Sequence, residues 1–267
     1  MAYERIKLEI TSDGIANLTL AHPEVLNAVS LQMISELNQA IGEIENPANG
    51  ARCLVITGDG KGFCAGANLA DDTRSDRMSN EYPDAGSVLD THYHPFLKRL
   101  SNLDLPVVTS VNGVAAGVGM SIALMGDLVL AAKGAYFLQA FKRIGLVPDG
   151  GSTYLLPRLV GLARAMELSM LAEKLPAEKA LEWGLINRVY ENDELSNKTA
   201  ELASELAAGP TKTYGLIRKL YWASASNNYE AQLDMERRSQ AIAGRSKDSR
   251  EGIKAFLEKR PANFTGE

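Results

Sequence analysis

The sequence predicts an α/β fold. Three features carry that expectation: two apolar strands that each run into a glycine-rich loop, a β-hairpin near the start, and an all-helical stretch from residue 194 onward. The run Pro106-Val107-Val108-Thr109-Ser110-Val111 is short and β-branched, as a buried strand is. It feeds Asn112-Gly113-Val114-Ala115-Ala116-Gly117-Val118-Gly119-Met120 and then Ser121-Ile122-Ala123-Leu124-Met125, which favours a buried helix. Glycines allow close backbone approach, and the first amides of a helix lack internal partners, so this turn can present N–H groups to an anionic atom. A tight helix–sheet packing turn without a ligand would read the same way.

A second unit repeats the pattern. Cys53-Leu54-Val55-Ile56-Thr57 is strand-like, and Gly58-Asp59-Gly60-Lys61-Gly62-Phe63-Cys64-Ala65-Gly66-Ala67-Asn68-Leu69 comes directly after it. Two such loops can each supply one amide to a single oxygen, as an enolate of a thioester requires.

Taken in order, Arg5 to Ile10 and Ile15 to Leu20 alternate around the turn Ser12-Asp13-Gly14 and predict the hairpin. Ser30 is placed to cap a helix with Leu31, Ile34, Leu37, Ile41 and Ile44 at helical spacing, ended by Asn46-Pro47-Ala48-Asn49-Gly50. Residues 70–92 are polar and poorly patterned, which predicts either disordered surface or a mobile lid, the lid being favoured because the segment directly follows the second glycine loop. Asp127 to Ala132 and Ala135 to Leu138 read as strands. Ile144 to Thr153 is a third glycine-rich loop, carrying Asp149, and the helix after it is interrupted by Pro157. A short helix at 176–184 and a strand at 185–190 precede four helices at about 194–207, 211–225, 229–243 and 247–258. That helical region is either a further core layer or an oligomerisation arm.

Composition narrows the function. With 267 residues, 45% hydrophobic and 23% charged, the chain is long enough for a substantial core and is ordinary for a soluble globular protein. A formal charge of −5 gives no basic footprint for nucleic acid or an acidic membrane, and no run approaches a membrane span, so a cytoplasmic protein is expected. Cys53 and Cys64 have no histidine nearby to activate them and read as reduced packing thiols. His92 and His94 lack a third ligand, so no metal site is expected there, and His22 stands alone before a proline. The glycine loops also fail the alternatives: no Ser or Thr follows Lys61 as a P-loop needs, Ile122 stands where a dinucleotide fingerprint needs glycine, and Gly151-Ser152-Thr153-Tyr154 is no nucleophile elbow.

Leu26-Asn27-Ala28, Gly62 to Leu69, Asn112 to Gly119, Gly145 to Gly151 and the terminal Phe256-Leu257-Glu258-Lys259-Arg260, in this order, resemble the crotonase (enoyl-CoA hydratase/isomerase) superfamily over essentially the whole chain. The resemblance implies ββα units wound into a spiral core over 1–193 and a helical C-terminal trimerisation region over 194–267, as a trimer or a dimer of trimers. It implies an acyl-CoA substrate, with coenzyme A entering as part of that substrate and no separate cofactor. Carried over by position, the backbone amides of Ala67 and Val118 would form the oxyanion hole. Val25, Ala28, Ala65, Gly66, Asn68 and Leu69 would hold coenzyme A. Phe256 and Lys259 would approach it from this or a neighbouring subunit, unless they serve only helix packing and solvation.

One departure decides the expected chemistry. Where hydratases of this family carry two glutamates, this chain has Ser121 and Phe141, and neither is a general base at neutral pH. Asp149 remains, in the Pro-Asp-Gly-Gly loop where isomerases of the family place their acid/base carboxylate; its purely structural alternative is a helix N-cap. An isomerase is therefore expected, with Phe141, Phe137 and Ser121 in an acyl pocket. Ile144 to Leu156, Leu233 to Arg237 and Ala243 to Ser246 are similar to the branch of the family that rearranges a ring epoxide of an aryl-acetyl thioester. The alternatives are a hydratase with an unconventional base such as Glu81 or Asp84, and a catalytically silent binder of coenzyme A.

Overall fold

A computed structural model describes residues 3–70 and 84–267. The hairpin forms as expected, β1 (Ile6–Ile10) pairing antiparallel with β2 (Ile15–Leu20). The next helix, α1 (Leu31–Glu45), starts where Ser30 Oγ accepts the amide of Met33 at 3.0 Å, and its face Met33, Ile34, Leu37, Ala40, Ile41 and Ile44 is buried.

Beyond α1 the chain repeats a pair of one long and one short strand. Strand β3 (Cys53–Gly58) leads to β4 (Gly62–Cys64). After a helical segment that ends in α2 (His94–Asn102), β5 (Val107–Val111) leads to β6 (Val114–Ala116) and α3 (Val118–Ala123). Then β7 (Leu128–Ala132) leads to β8 (Tyr136–Leu138). The long strands form one sheet in the order β1-β2-β3-β5-β7 and the short ones a second sheet in the order β4-β6-β8. Each unit thus advances one strand in both sheets, and the chain winds as a spiral. Strands β3, β5 and β7 are parallel and almost wholly buried, which is why they read as continuous apolar runs.

Helix α4 (Ser152–Leu171) is followed by β9 (Leu175–Pro176), α5 (Ala177–Glu182) and β10 (Arg188–Tyr190); the two strands close the second and first sheets respectively. The interruption expected at Pro157 lies instead at Gly161, with φ 80° and ψ 161°. Pro157 is tolerated because the carbonyl it leaves unbonded, that of Thr153, belongs to an exposed residue. Four helices complete the chain: α6 (Leu195–Ala207), α7 (Thr211–Ser224), α8 (Tyr229–Ala243) and α9 (Lys247–Glu258). Leu195, Leu202, Ala203 and Ala207 of α6 belong to the main core, and α6 packs across β3, β5 and β7. The first helix beyond residue 193 is therefore a layer of the body, whereas α7 and α8 pack on each other. No helix of the described residues is long and apolar enough to cross a membrane.

Of the insert read as a lid, 71–83 lie outside the described residues, and Glu81 with them. Residues 85–93 are helical: Asp84 caps Ala85–Val88 by accepting the amides of Gly86 and Ser87 at 2.8 and 3.3 Å, and Leu89–Tyr93 continues as a π-turn into α2.

Candidate functional site

The two glycine loops meet at their glycines. A Cβ built on Gly66 would stand 3.9 Å from Gly117 Cα and 3.1 Å from Ala116 O, and one on Gly117 would stand 3.8 Å from Gly66 Cα. Both residues have positive φ, 108° and 52°, so the contact needs glycine on both sides.

The direction of the next amide in each loop follows from peptide planarity. Gly66 O accepts the amide of Val29 at 2.7 Å, and because the peptide is trans, the N–H of Ala67 points the opposite way. Gly117 O accepts the amides of Met120 and Ser121 at 3.0 and 3.2 Å inside the first turn of α3, so the N–H of Val118 points out of that helix end. Ala67 and Val118 both line a cavity of 280 Å³. Asparagines hold this frame: Asn27 Nδ2 donates to the carbonyls of Asp59 and Gly62 at 2.9 and 2.8 Å, and Asn112 Nδ2 donates to those of Gly58 and Gly60, both at 3.0 Å. Asn27 and the preceding Leu26 take left-handed φ of 57° and 51°, which sets segment 25–29 alongside 65–68.

Asp149 lines the same cavity and is the one carboxylate among the described residues that do. Its loop turns on Gly150 and Gly151, with φ 63° and 84°. The residue at the N-cap of α4 is Gly151, so Asp149 does not occupy the capping position that its sequence context also allowed. Its backbone carbonyl is firmly held, accepting Ser121 Oγ and Ser152 Oγ at 2.9 Å each and the amide of Ser152 at 3.2 Å.

Of the residues singled out in the sequence, Ala65, Gly66, Ala67, Leu69, Val118, Phe141 and Asp149 share this cavity. Val25 is exposed, Ala28 is buried on the strip beside it, and Asn68 bonds back to Val29 O at 2.9 Å. Two further residues of the expected acyl pocket lie outside this lining. Phe137 is fully buried in the core on β8, away from the lining, because its strand packs into the second sheet. Ser121 is also off the lining, its hydroxyl turned to the Asp149 carbonyl. Phe256, at 82% exposure, and Lys259, the left-handed cap of α9, do not line the cavity of their own chain.

The cavity also takes Val88, Leu89 and Tyr93 from the helical segment before α2, and Arg143, Ile144 and Leu146 from the loop after β8. The second group lies in a loop already flagged by its glycines. Of the first, Val88 and Leu89 fall within the insert read as a lid, but no individual residue was singled out there, since a π-turn breaks the helical period. Asp84 is engaged in its cap, which weakens it as an alternative base.

Cys53 and Cys64 are buried, and burial pushes both thiols up from 9.0 to about 12, so they stay protonated at neutral pH. His94 faces Asp90 across 3.7 Å on an exposed surface.

The enoyl-CoA hydratase/isomerase family model matches residues 10–267. A relative from Escherichia coli K12, the 1,2-epoxyphenylacetyl-CoA isomerase, is 45% identical over 95% of both chains. One from Rhodobacter capsulatus, named "probable enoyl-CoA hydratase", is 43% identical over the whole of both. The crystal structure of an enoyl-CoA hydratase from Bacillus anthracis superposes with a TM-score of 0.90 at 27% identity, covering 99% of this chain and 100% of that one. The spiral of paired strands, the two facing glycine loops and these matches agree: this chain belongs to the enoyl-CoA hydratase/isomerase family.

Proposed function

We propose that the protein is an acyl-CoA isomerase that moves a double bond, or rearranges a ring epoxide, next to the thioester. The observation that carries this reading is that Asp149 shares one cavity with two outward-pointing amides and with no second carboxylate among the described lining residues. The Asp149 carboxylate takes a proton from the α or γ carbon. The electron pair moves into the thioester carbonyl, whose oxygen accepts the N–H groups of Ala67 and Val118, and the protonated Asp149 returns the proton at another carbon. Atoms balance without water. Phe141, buried beside Gly117 at the cavity, makes an apolar wall for the acyl group, which suits a proton shuttle that excludes solvent.

Coenzyme A enters as part of the substrate. The strip formed by Val25, Ala28, Ala65, Gly66, Asn68 and Leu69 would receive it at the cavity mouth, where Val25 and Leu69 expose apolar surface. Phe256 and Lys259 would serve the site of a neighbouring copy.

The test is product analysis by mass after incubation with a 2-enoyl-CoA and a 3-enoyl-CoA. A change in retention at constant mass is expected. Gain of one water on the 2-enoyl thioester would overturn the reading in favour of hydration, which the name of the Rhodobacter relative keeps as the second reading. Asp149→Asn should lower kcat by about 10²-fold or more, the scale of a general acid/base, while calorimetry finds coenzyme A thioester binding retained. Turnover unchanged in that variant would remove Asp149 from the chemistry.

A further inference from the structure

We infer that Ser121 is a positioning residue that fixes the Asp149 carboxylate relative to the Val118 amide; the inference rests on the isomerase reading above. Ser121 is fully buried on α3, one turn after Val118. Its hydroxyl donates to the carbonyl oxygen of Asp149 at 2.9 Å and lies 3.4 Å from the carbonyl oxygen of Gly117. The Gly117 carbonyl belongs to the peptide plane whose other end is the Val118 N–H, so one hydroxyl touches both the amide-bearing plane and the backbone that carries the carboxylate.

The steric contacts agree with the hydrogen bonds. A Cβ on Gly150 would meet Ser121 Cβ at 2.8 Å and Val118 Cγ2 at 3.2 Å. The turn after Asp149 therefore sits directly on the two α3 residues, and glycine is what lets it do so. Ser121 of helix α3 and Asp149 are 28 residues apart in sequence and are joined here by a side-chain bond.

Geometry gives this bond leverage. A displacement of about 1 Å between reacting groups costs on the order of 10²-fold in rate, whereas overall substrate affinity depends on the whole strip. Removing the hydroxyl strands no acceptor. Asp149 O keeps the hydroxyl and amide of Ser152, and Gly117 O keeps the amides of Met120 and Ser121. Folding cost is therefore small and the effect is on position.

Ser152 provides the control. Its hydroxyl donates to the same oxygen over the same 2.9 Å, but it belongs to the Asp149 turn itself and moves with it. If the bonds served stability alone, Ser121→Ala and Ser152→Ala would behave alike.

The experiment compares Ser121→Ala, Ser152→Ala and Ser121→Thr in steady-state isomerisation of a 3-enoyl-CoA, and in hydrogen exchange of the peptide spanning 146–155. For Ser121→Ala, kcat should fall about tenfold or more with KM held within about twofold, the pattern of an interaction needed in the transition state. Ser152→Ala should stay within about threefold of the parent, and Ser121→Thr, which keeps the hydroxyl, should recover most of the rate. Exchange over 146–155 should quicken in Ser121→Ala and not in Ser152→Ala. Equal kinetic losses in the two alanine variants, or a loss seen only in KM, would overturn the inference. So would unchanged exchange in Ser121→Ala, a result that needs no turnover. Failure of the parent protein to isomerise either thioester would instead refute the reading on which the inference rests.

Discussion

Beneath the two cavity loops, a Cβ on Gly119 would stand 2.7 Å from Cys64 Sγ, so α3 lies directly on β4 and leaves the thiol no solvent. Cys64 and Cys53 have folded-state pKa values of about 12 against an ordinary 9.0, because burial disfavours the thiolate. The unfolded chain therefore loses these protons at lower pH than the folded one. The stabilisation that this contributes is whole below pH 9 and is lost as pH rises from 9 toward 12. Urea midpoints measured across that window should fall, and less steeply in a Cys53→Ala/Cys64→Ala variant; identical slopes would count against it. Both thiols were legible as inert packing groups, since no histidine adjoins them. Ser121 was not legible in its actual role. Sequence shows that it cannot be a base, but its bond to Asp149 spans 28 residues, and only the folded spiral brings the partners together.

Arg218 on α7 does for the elements what Ser121 does for the site. Its guanidinium is buried, with Nε donating to Asp127 Oδ1 and Oδ2 at 2.8 and 2.6 Å and Nη1 and Nη2 donating to the carbonyls of Leu103 and Leu100 at 2.6 and 3.2 Å. Asp127 also accepts the amide of Val107 at 2.7 Å. One side chain thus ties α7 to the end of α2 and to the starts of β5 and β7. Arg218→Ala should destabilise the fold by about 1.5–3 kcal/mol, the scale of a hydrogen bond to a charged group, since it removes a buried guanidinium from the carbonyls of Leu100 and Leu103 and from Asp127, whose own side chain reaches solvent. Equilibrium denaturation reads this; a loss under about 1 kcal/mol would mean that solvent replaces the partner. The four C-terminal helices were readable to within a residue or two, because apolar spacing and the Gly209-Pro210 break mark their ends, whereas α2 (His94–Asn102) was not assigned from the sequence. Strands β4 and β6 were not, for three residues between glycines are too short to show alternation, and their pairing is wholly tertiary.

At the scale of the molecule, two apolar stripes lie uncovered on different helices. Leu162, Met166 and Met170 follow one face of α4 at 45–68% exposure, and Ile253, Phe256 and Leu257 follow one face of α9 at 62–82%. Contiguous exposed apolar surface of this kind marks an interface. Because the stripes are unlike and lie on separate elements, pairing one with the other is heterologous. Repeated around an axis, such a contact closes into a ring where the rotation permits, and the trimer, or dimer of trimers, that the family resemblance implies is the prediction to test. Sedimentation should then give three or six times the chain mass. Leu162→Arg and Phe256→Arg, each alone, should yield monomers by placing an unpaired charge in the contact. The mixture of the two variants distinguishes the pairing mode. In a head-to-tail arrangement the intact α9 of the first variant meets the intact α4 of the second, so dimers form and growth stops there. If each stripe instead paired with its own copy, each variant alone would already dimerise through its unaltered stripe, and that result would refute the ring.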